Sequence, residues 1–265
     1  MSTSTRLSPL ESEHKYQLDR RGAEALLSVL ATHLALDVYD AHRPLAYART
    51  TYLDTDDLAL LAASDSGFAQ RVRLREYASA PAGDAPRLTG ACFLEYKAVA
   101  GSMRRKARVE LPAHLCAELH QGAWDPGWFA AALTEEPFAT LGEMFMRMSP
   151  RITTFYRRAS LSDPEKSLRV TIDEGVIYCP PCVGGSAGDL AQPRTMIEEA
   201  PTRIVEIKYR GRAPAWLTDA LAELNETTEY SKFLSGMKAI LAAQNAPRTA
   251  RMTEPLRVPA LHSDD

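Results

Sequence analysis

Between Glu11 and Leu18 the chain alternates strictly. Glu11, Glu13, Lys15 and Gln17 fall on one face, and Ser12, His14, Tyr16 and Leu18 on the other, which is the two-residue period of a β-strand. Strand patterns return over residues 45–54, 68–77, 91–99, 104–111, 151–161, 168–173, 175–178 and 203–209. Helical spacing covers residues 22–36, a short turn over 57–64, residues 113–148 with breaks near Pro126 and Pro137, a segment opened by Pro214, and about 231–243. Residues 81–90, PAGDAPRLTG, read as a turn or loop, and 179–202 as a long loop. Residues 1–10 read as an unstructured lead-in and 244–265 as an unstructured tail, which leaves one domain over 11–243. The strands are not regularly interleaved with helices, which argues against a parallel βαβ sheet. The expected class is α+β and β-dominated: a curved antiparallel sheet or barrel with peripheral helices.

The polar faces of these strands are unusually charged. Arg71, Arg73 and Arg75 share a face opposite Val72 and Leu74; Glu95 and Lys97 oppose Leu94 and Tyr96. Lys106, Arg108 and Glu110 oppose Ala107, Val109 and Leu111. The pattern recurs with Tyr156 and Arg158, with Arg169, Thr171 and Asp173, and with Glu206 and Lys208. A solvated face of one strand looks like this, but exposed ion pairs add only about 0–1 kcal/mol each, so stability alone gives little reason for so many. If the sheet curls, its apolar faces can pack outward under helices while the charged faces line a lumen. Such a lumen repels itself unless a polyanion fills it. Arg offers forked donors and Lys a mobile charge for phosphate oxygens, and scattered Glu residues suit a hard divalent cation.

Composition sharpens this picture. Net charge is −3, with 31 Lys and Arg against 34 Asp and Glu, which argues against a general nucleic-acid binder but allows positive charge concentrated in a cleft. No apolar run reaches the roughly 18 residues of a membrane helix, and the N-terminus has no apolar signal core, so a cytoplasmic protein is expected. Four cysteines, Cys92, Cys116, Cys179 and Cys182, are too few for a disulfide framework in a chain of this length, and reduced thiols are the default. Cys179-Pro-Pro-Cys182 has zinc-ligand spacing without a second ligand pair and reads as a plain loop. There is no glycine-rich phosphate loop, HExxH or Ser/His/Asp pattern.

Taken in order, the segments ESEHKYQL, TTYLDT, RVRLREY, FLEYK, RRKARVEL, FYRRASLSD, LRVTID, IVEIK and YSKFLSGM resemble the triphosphate tunnel metalloenzyme superfamily. More closely, they resemble the catalytic domain of the vacuolar transporter chaperone (VTC) polyphosphate polymerases, over about residues 11–240. The resemblance implies an eight-stranded antiparallel tunnel β-barrel, ATP as phosphoryl donor and Mn2+ or Mg2+ as cofactor. ESEHK matches the ExExK signature, which implies metal-holding roles for Glu11 and Glu13 and a phosphate contact for Lys15. Arg73 and Arg75 match a phosphate-clamping pair, and Lys97, Lys106, Arg158 and Arg169 match further phosphate ligands, with Glu95 as an additional metal candidate. Tyr156 and Lys208 are implied substrate contacts, Glu206 the main metal ligand, and Ser231 and Lys232 a pair closing over the terminal phosphate. Arg71 and Arg108 read as tunnel or rim residues outside the core site, and Glu110 and Asp173 as charge balance. Loop 179–202 departs from the family's shorter connection. No helical phosphate-sensing region precedes the barrel and no membrane helices follow it in this sequence, which counts against regulated translocation; a membrane-associated partner stays open.

The function so implied is transfer of the ATP γ-phosphoryl group to a polyphosphate chain. The alternatives are a metal-dependent hydrolase of tripolyphosphate or organic triphosphates, and a non-catalytic polyphosphate-binding module.

Overall fold

The computed structural model describes residues 4–5, 11–65, 68–81, 83–100, 103–120, 138–181, 197–227 and 230–245. Eight long strands form the body: β2 (Glu11–Leu18), β4 (Leu45–Thr55), β5 (Phe68–Ala80), β6 (Arg87–Ala100), β7 (Met103–Leu111), β8 (Met148–Ser162), β9 (Leu168–Cys179) and β11 (Arg203–Arg210). Two-residue strands β1 (Ser4–Thr5), β3 (Ala35–Leu36) and β10 (Glu198–Glu199) add to β7, β8 and β9. Every pairing is antiparallel, in the order β1-β7-β6-β5-β4-β8-β9-β11-β2. This is the expected β-dominated, tunnel-like architecture. Among the described residues, however, no backbone ladder joins β7 to β2. The two sides of the curled sheet meet through side chains, with Lys97 of β6 reaching Glu13 of β2 at 3.9 Å.

The helices are α1 (Arg20–Leu30), α2 (Ala59–Asp65), α3 (Ala113–His120), α4 (Gly142–Phe145), α5 (Ala215–Leu221) and α6 (Lys232–Asn245), with a 3-10 turn at Phe138–Leu141. Asp19 caps α1 by accepting from the Gly22 amide at 2.7 Å, satisfying a donor that the helix leaves unpaired. Helix α1 ends earlier than its apolar spacing suggests. Thr32 and His33 tighten into i−3 backbone bonds, and the chain then pairs as β3 with Leu161 and Ser162. Pro214 sits at the N-cap of α5, one position before the first turn where it is expected.

The apolar strand faces point outward, as expected for a lumen of charged faces. Val72, Leu74, Leu94 and Val109 pack with Leu60 of α2, Leu115 of α3 and Phe145 of α4. On the other side Tyr16, Val170, Ile172, Val205 and Ile207 pack with Leu26 and Leu30 of α1 and Leu217 of α5. At roughly 25 cal/mol per Å² of apolar surface removed from water, these two layers are the main source of cohesion. Helix α6 takes a different position. Its Phe233 and Met237 cluster with Tyr52, Ile152, Tyr156, Val176, Tyr178 and Ile204, residues that share the inner face with the charges. Gly236 permits this close approach, because a Cβ there would lie 2.9 Å from the Tyr178 ring.

Four local expectations are revised. Residues 168–173 and 175–178 form one strand, β9, kinked where its register against β8 shifts near Gly175, whose φ is +56°. The extra residue of this bulge puts Asp173, Val176 and Tyr178 on the same side. The loop at 81–90 is shorter, since β5 runs to Ala80 and β6 starts at Arg87. The lead-in contributes β1, and loop 179–202 contributes β10; residues 121–137 of the expected helical region, 182–196 of that loop and 246–265 of the tail lie outside the described residues. Finally, Cys92 and Cys116 are disulfide-bonded, with Cα atoms 6.3 Å apart, where reduced thiols are the sequence-based expectation. A cysteine count tests only for a framework; it does not register that the outer face of β6 and helix α3 bring two distant sulfurs together. Cys179 is buried at the end of β9 and donates to the Thr153 carbonyl, while Cys182 lies outside the described residues. No helix among the described residues is long and apolar enough to cross a membrane.

Candidate active site in the tunnel

The inner faces enclose a cavity of about 710 Å³. Eleven Lys and Arg side chains and four carboxylates line it, although the whole chain is net acidic. Of the residues expected from the sequence, Arg73, Arg75, Lys97, Lys106, Arg158, Arg169, Lys15, Lys208, Ser231, Lys232, Glu95 and Glu206 all border this space. Cross-strand register brings them together. Arg71, Lys97 and Lys106 are successive partners across β5, β6 and β7, and Arg73, Glu95 and Arg108 form the next row. Lys15, Glu206 and Thr171 form a row across β2, β11 and β9.

One cluster is built on lysine and glutamate. Glu13 takes Lys15 at 3.0 Å, Lys208 at 3.7 Å and Lys97 at 3.9 Å, and Lys208 also pairs with Glu206 at 2.9 Å. The Glu13 and Glu206 carboxyls lie within hydrogen-bonding reach of each other. Burial would raise the Glu206 carboxyl, but Lys208, Glu13 and Lys15 hold it well below the usual range. Burial, together with Lys15 and Arg71, pushes the Lys97 ammonium down to about 7 against the pull of Glu13 and Glu206. Cations packed this closely disfavour one another in a low dielectric. The backbone of Glu11 pairs with Arg210 at the end of β2, and its side chain lies outside the described residues.

Arg71, Arg73 and Arg75 step along β5 towards a second cluster. Glu95 sits among guanidinium groups, 2.7 Å from Arg73, 3.5 Å from Arg108 and 3.7 Å from Arg75. Burial works against its charge, but Arg73 and Arg75 outweigh it and hold the carboxyl at about 2. Arg75 donates to the Tyr156 hydroxyl at 3.1 Å. Tyr156 does not border the cavity; it lies buried behind it, with Lys232 4.8 Å and Arg158 5.3 Å from its ring centre. Arg158 grips Asp173 with two hydrogen bonds of 2.6 and 2.7 Å, and Lys232 donates to the same carboxylate at 2.6 Å. Ser231 precedes α6 and its hydroxyl accepts from the Leu234 amide at 3.4 Å, an N-cap contact. Arg169 bonds Ser160 and the exposed Tyr39 hydroxyl.

Several lining residues stand outside the set chosen from the sequence. Arg71 and Arg108 border the same cavity as the core cations. Their parity along β5 and β7 matches that of Arg73 and Lys106, so alternation alone carries that signal. Asp173 has the parity of Arg169 and makes the closest ion contacts in the second cluster. Tyr52, Tyr77, Phe93, Thr171 and Tyr230 also border the cavity. Aromatic and Thr residues on a strand ordinarily read as packing, so nothing in the sequence marks them.

The Asp173 pair gives the fold a defined acid dependence. Burial raises this carboxyl, but Arg158 and Lys232 outweigh it and hold it at about 2, below its ordinary 3.8. A depressed native pKa contributes stability that is present above the unfolded value and lost as pH falls towards the folded one. Stability is therefore expected to drop as pH falls from about 4 to about 2, by on the order of 2 kcal/mol from this group. Urea midpoints measured across that range check this; an Asp173→Asn variant shows a shallower loss.

A family description for the VTC domain matches residues 10–241, which spans every long strand and most of α6. No curated protein matches the sequence. Among solved structures, a provisionally assigned adenylate cyclase from Bacillus halodurans is similar at a TM-score of 0.55 and 14% identity, covering 89% of this chain and 98% of that one. The PH1819 protein from Pyrococcus horikoshii OT3 is similar at 0.43 and 12%, covering 88% and 99%. The first of these supports the fold, and the family match supports a triphosphate-binding tunnel enzyme. With the domain description covering nearly the whole folded body and its charged strand faces converging on one cavity, the chain belongs to the VTC-domain family.

Proposed function

We propose that this protein is a metal-dependent phosphotransferase that moves the γ-phosphoryl group of ATP onto an inorganic polyphosphate chain. The observation that carries this reading is the excess of eleven cationic side chains over four carboxylates around one enclosed cavity. An extended polyanion is the ligand that relieves their mutual repulsion. Phosphoryl transfer asks the protein mainly for alignment and charge stabilisation, so no side-chain nucleophile is needed.

In this reading Arg73, Arg75, Lys97, Lys106, Arg158 and Arg169 spread the charge of the transferring group, and Lys15, Lys208, Ser231 and Lys232 seat the rest of the chain. Tyr156 steadies Arg75 through its hydroxyl. An acceptor phosphate oxygen attacks the γ-phosphorus in line; the new P–O bond forms as the bond to the β-phosphate oxygen breaks, and ADP leaves. Glu13 and Glu206, neighbouring half-buried carboxyls that offer oxygen donors, fit a hard divalent cation such as Mn2+ or Mg2+, with Glu11 a further donor at the strand end. Such an ion would supply charge neutralisation at the phosphate oxygens. Glu95 fits that ion less well. Its oxygens are already engaged by Arg73, Arg75 and Arg108, and we assign it to holding those guanidinium groups in position.

The test is direct: incubate the purified protein with ATP and Mn2+ or Mg2+ and resolve the products by size. A ladder of polyphosphate is the expected result. Free phosphate alone would assign a hydrolase instead, and binding without turnover a polyphosphate-binding module.

A further inference from the structure

Asp173 is the carboxylate on which the second cluster closes. It lies 2% exposed on the inner face of β9. It binds Arg158 of β8 through both oxygens and Lys232, the first residue of α6, through Oδ2. Two further observations set it apart from charge balance. Lys232 and Arg158 both lie over or beside the Tyr156 ring, whose hydroxyl accepts from Arg75, so one carboxylate fixes a constellation drawn from three elements. The contact also joins the sheet to the start of α6, where Tyr230, Ser231 and Lys232 all border the cavity. Without Asp173, two part-buried cations held on the same carboxylate would face each other unscreened, where like charges repel.

We propose that Asp173 is a positioning residue: it aims Lys232 and Arg158 into the tunnel before substrate arrives and latches the start of α6 over it. The inference rests on the phosphotransferase reading above. Electrostatic stabilisation works best when its donors are pre-aimed, because no reorganisation is then needed at the moment of reaction. The latch has a cost in binding, since a fixed negative charge beside the ligand opposes a polyanion. A positioning role and a merely structural one therefore differ in sign. Loss of the Asp173 charge should strengthen polyanion binding while slowing turnover, whereas loss of a structural strut should weaken both.

The experiment compares the full chain with its Asp173→Asn variant, using inorganic tripolyphosphate as the binding probe in calorimetry and in thermal melts, and ATP with Mn2+ for turnover. The variant is expected to bind tripolyphosphate about three- to tenfold more tightly, with a steeper salt dependence, since one opposing charge is gone. Its kcat is expected to fall at least about tenfold, and Asp173→Glu to recover part of that loss. The variant should melt lower than the wild type without ligand and gain more from tripolyphosphate, which takes over the pairing of Lys232 and Arg158. If the variant folds only with tripolyphosphate, that too supports the proposal. Weaker binding in the variant, an unchanged kcat, or no recovery of fold by millimolar tripolyphosphate overturns it. Failure of the wild type itself to bind tripolyphosphate is a different outcome and removes the functional reading beneath it.

Discussion

Replacing Glu206 with Gln lowers ATP-dependent turnover at least about a hundredfold, the rate equivalent of roughly 2.7 kcal/mol or more, and leaves the fold and triphosphate binding in place. The expectation follows from what the side chain touches. Glu206 stands between Lys15 and Thr171 in the cross-strand row, pairs with Lys208 at 2.9 Å and meets Glu13. Gln keeps the size and removes the charge, so the Glu13–Glu206 pair loses one of its two carboxylate ligands for a divalent cation. The basic cavity becomes one charge more positive, and tripolyphosphate binding in the absence of metal should be unchanged or tighter. Calorimetry with tripolyphosphate, Mn2+ titration by electron paramagnetic resonance, and product analysis separate these effects. Arg75→Ala makes the useful contrast: it removes a cation that lines the cavity and holds the Tyr156 hydroxyl, so turnover and tripolyphosphate affinity should both fall. Full turnover in Glu206→Gln would remove the metal-binding role assigned to this pair.

The alternation of charge along each strand made most of the lining legible in the sequence. Parity fixes the face of a strand, and eight strands with one charged and one apolar face admit few arrangements. Parity does not give depth along a tunnel, which is why it leaves Arg71 and Arg108 undecided between tunnel and rim and makes Asp173 read as a counter-charge. Depth depends on register between strands distant in sequence, such as Arg71 against Lys97 and Lys106. The bulge at Gly175 was invisible for a related reason: one inserted residue breaks the two-residue period, so β9 looked like two strands. Helix α6 was legible as a helix, but its choice of the inner face depends on Gly236 fitting against Tyr178 and Ile152, a tertiary fit that no periodicity records. The Cys92–Cys116 bond likewise depends on where α3 lands on β6.

Outside the tunnel, nothing in the strand alternation marks the ion pair whose breaking should cost most stability. Arg49 of β4 and Glu76 of β5 are direct cross-strand neighbours on the outward face, 8% and 7% exposed. Two parallel hydrogen bonds of 2.5 and 2.7 Å join them, beside the Cys92 and Cys116 sulfurs. Taking two charges out of water costs nearly what their attraction returns, so such a pair adds little beyond an apolar pair of the same volume. Breaking it is different, because a lone buried charge remains. Glu76→Ala is therefore expected to destabilise the protein by about 3–5 kcal/mol, lowering the melting temperature by roughly 10 °C for a chain of this size. The double replacement Arg49→Met with Glu76→Leu should recover most of that loss. Urea and thermal melts of the two single variants and the double variant close the cycle. A Glu76→Ala loss below about 1 kcal/mol, the range of an exposed ion pair, would mean that water reaches the Arg49 guanidinium and that the outer layer over β4 and β5 is looser than its packing indicates. Because Glu76 faces away from the cavity, the folded fraction of the single variant should still bind tripolyphosphate as the wild type does, which keeps a change in stability distinct from a change in the site.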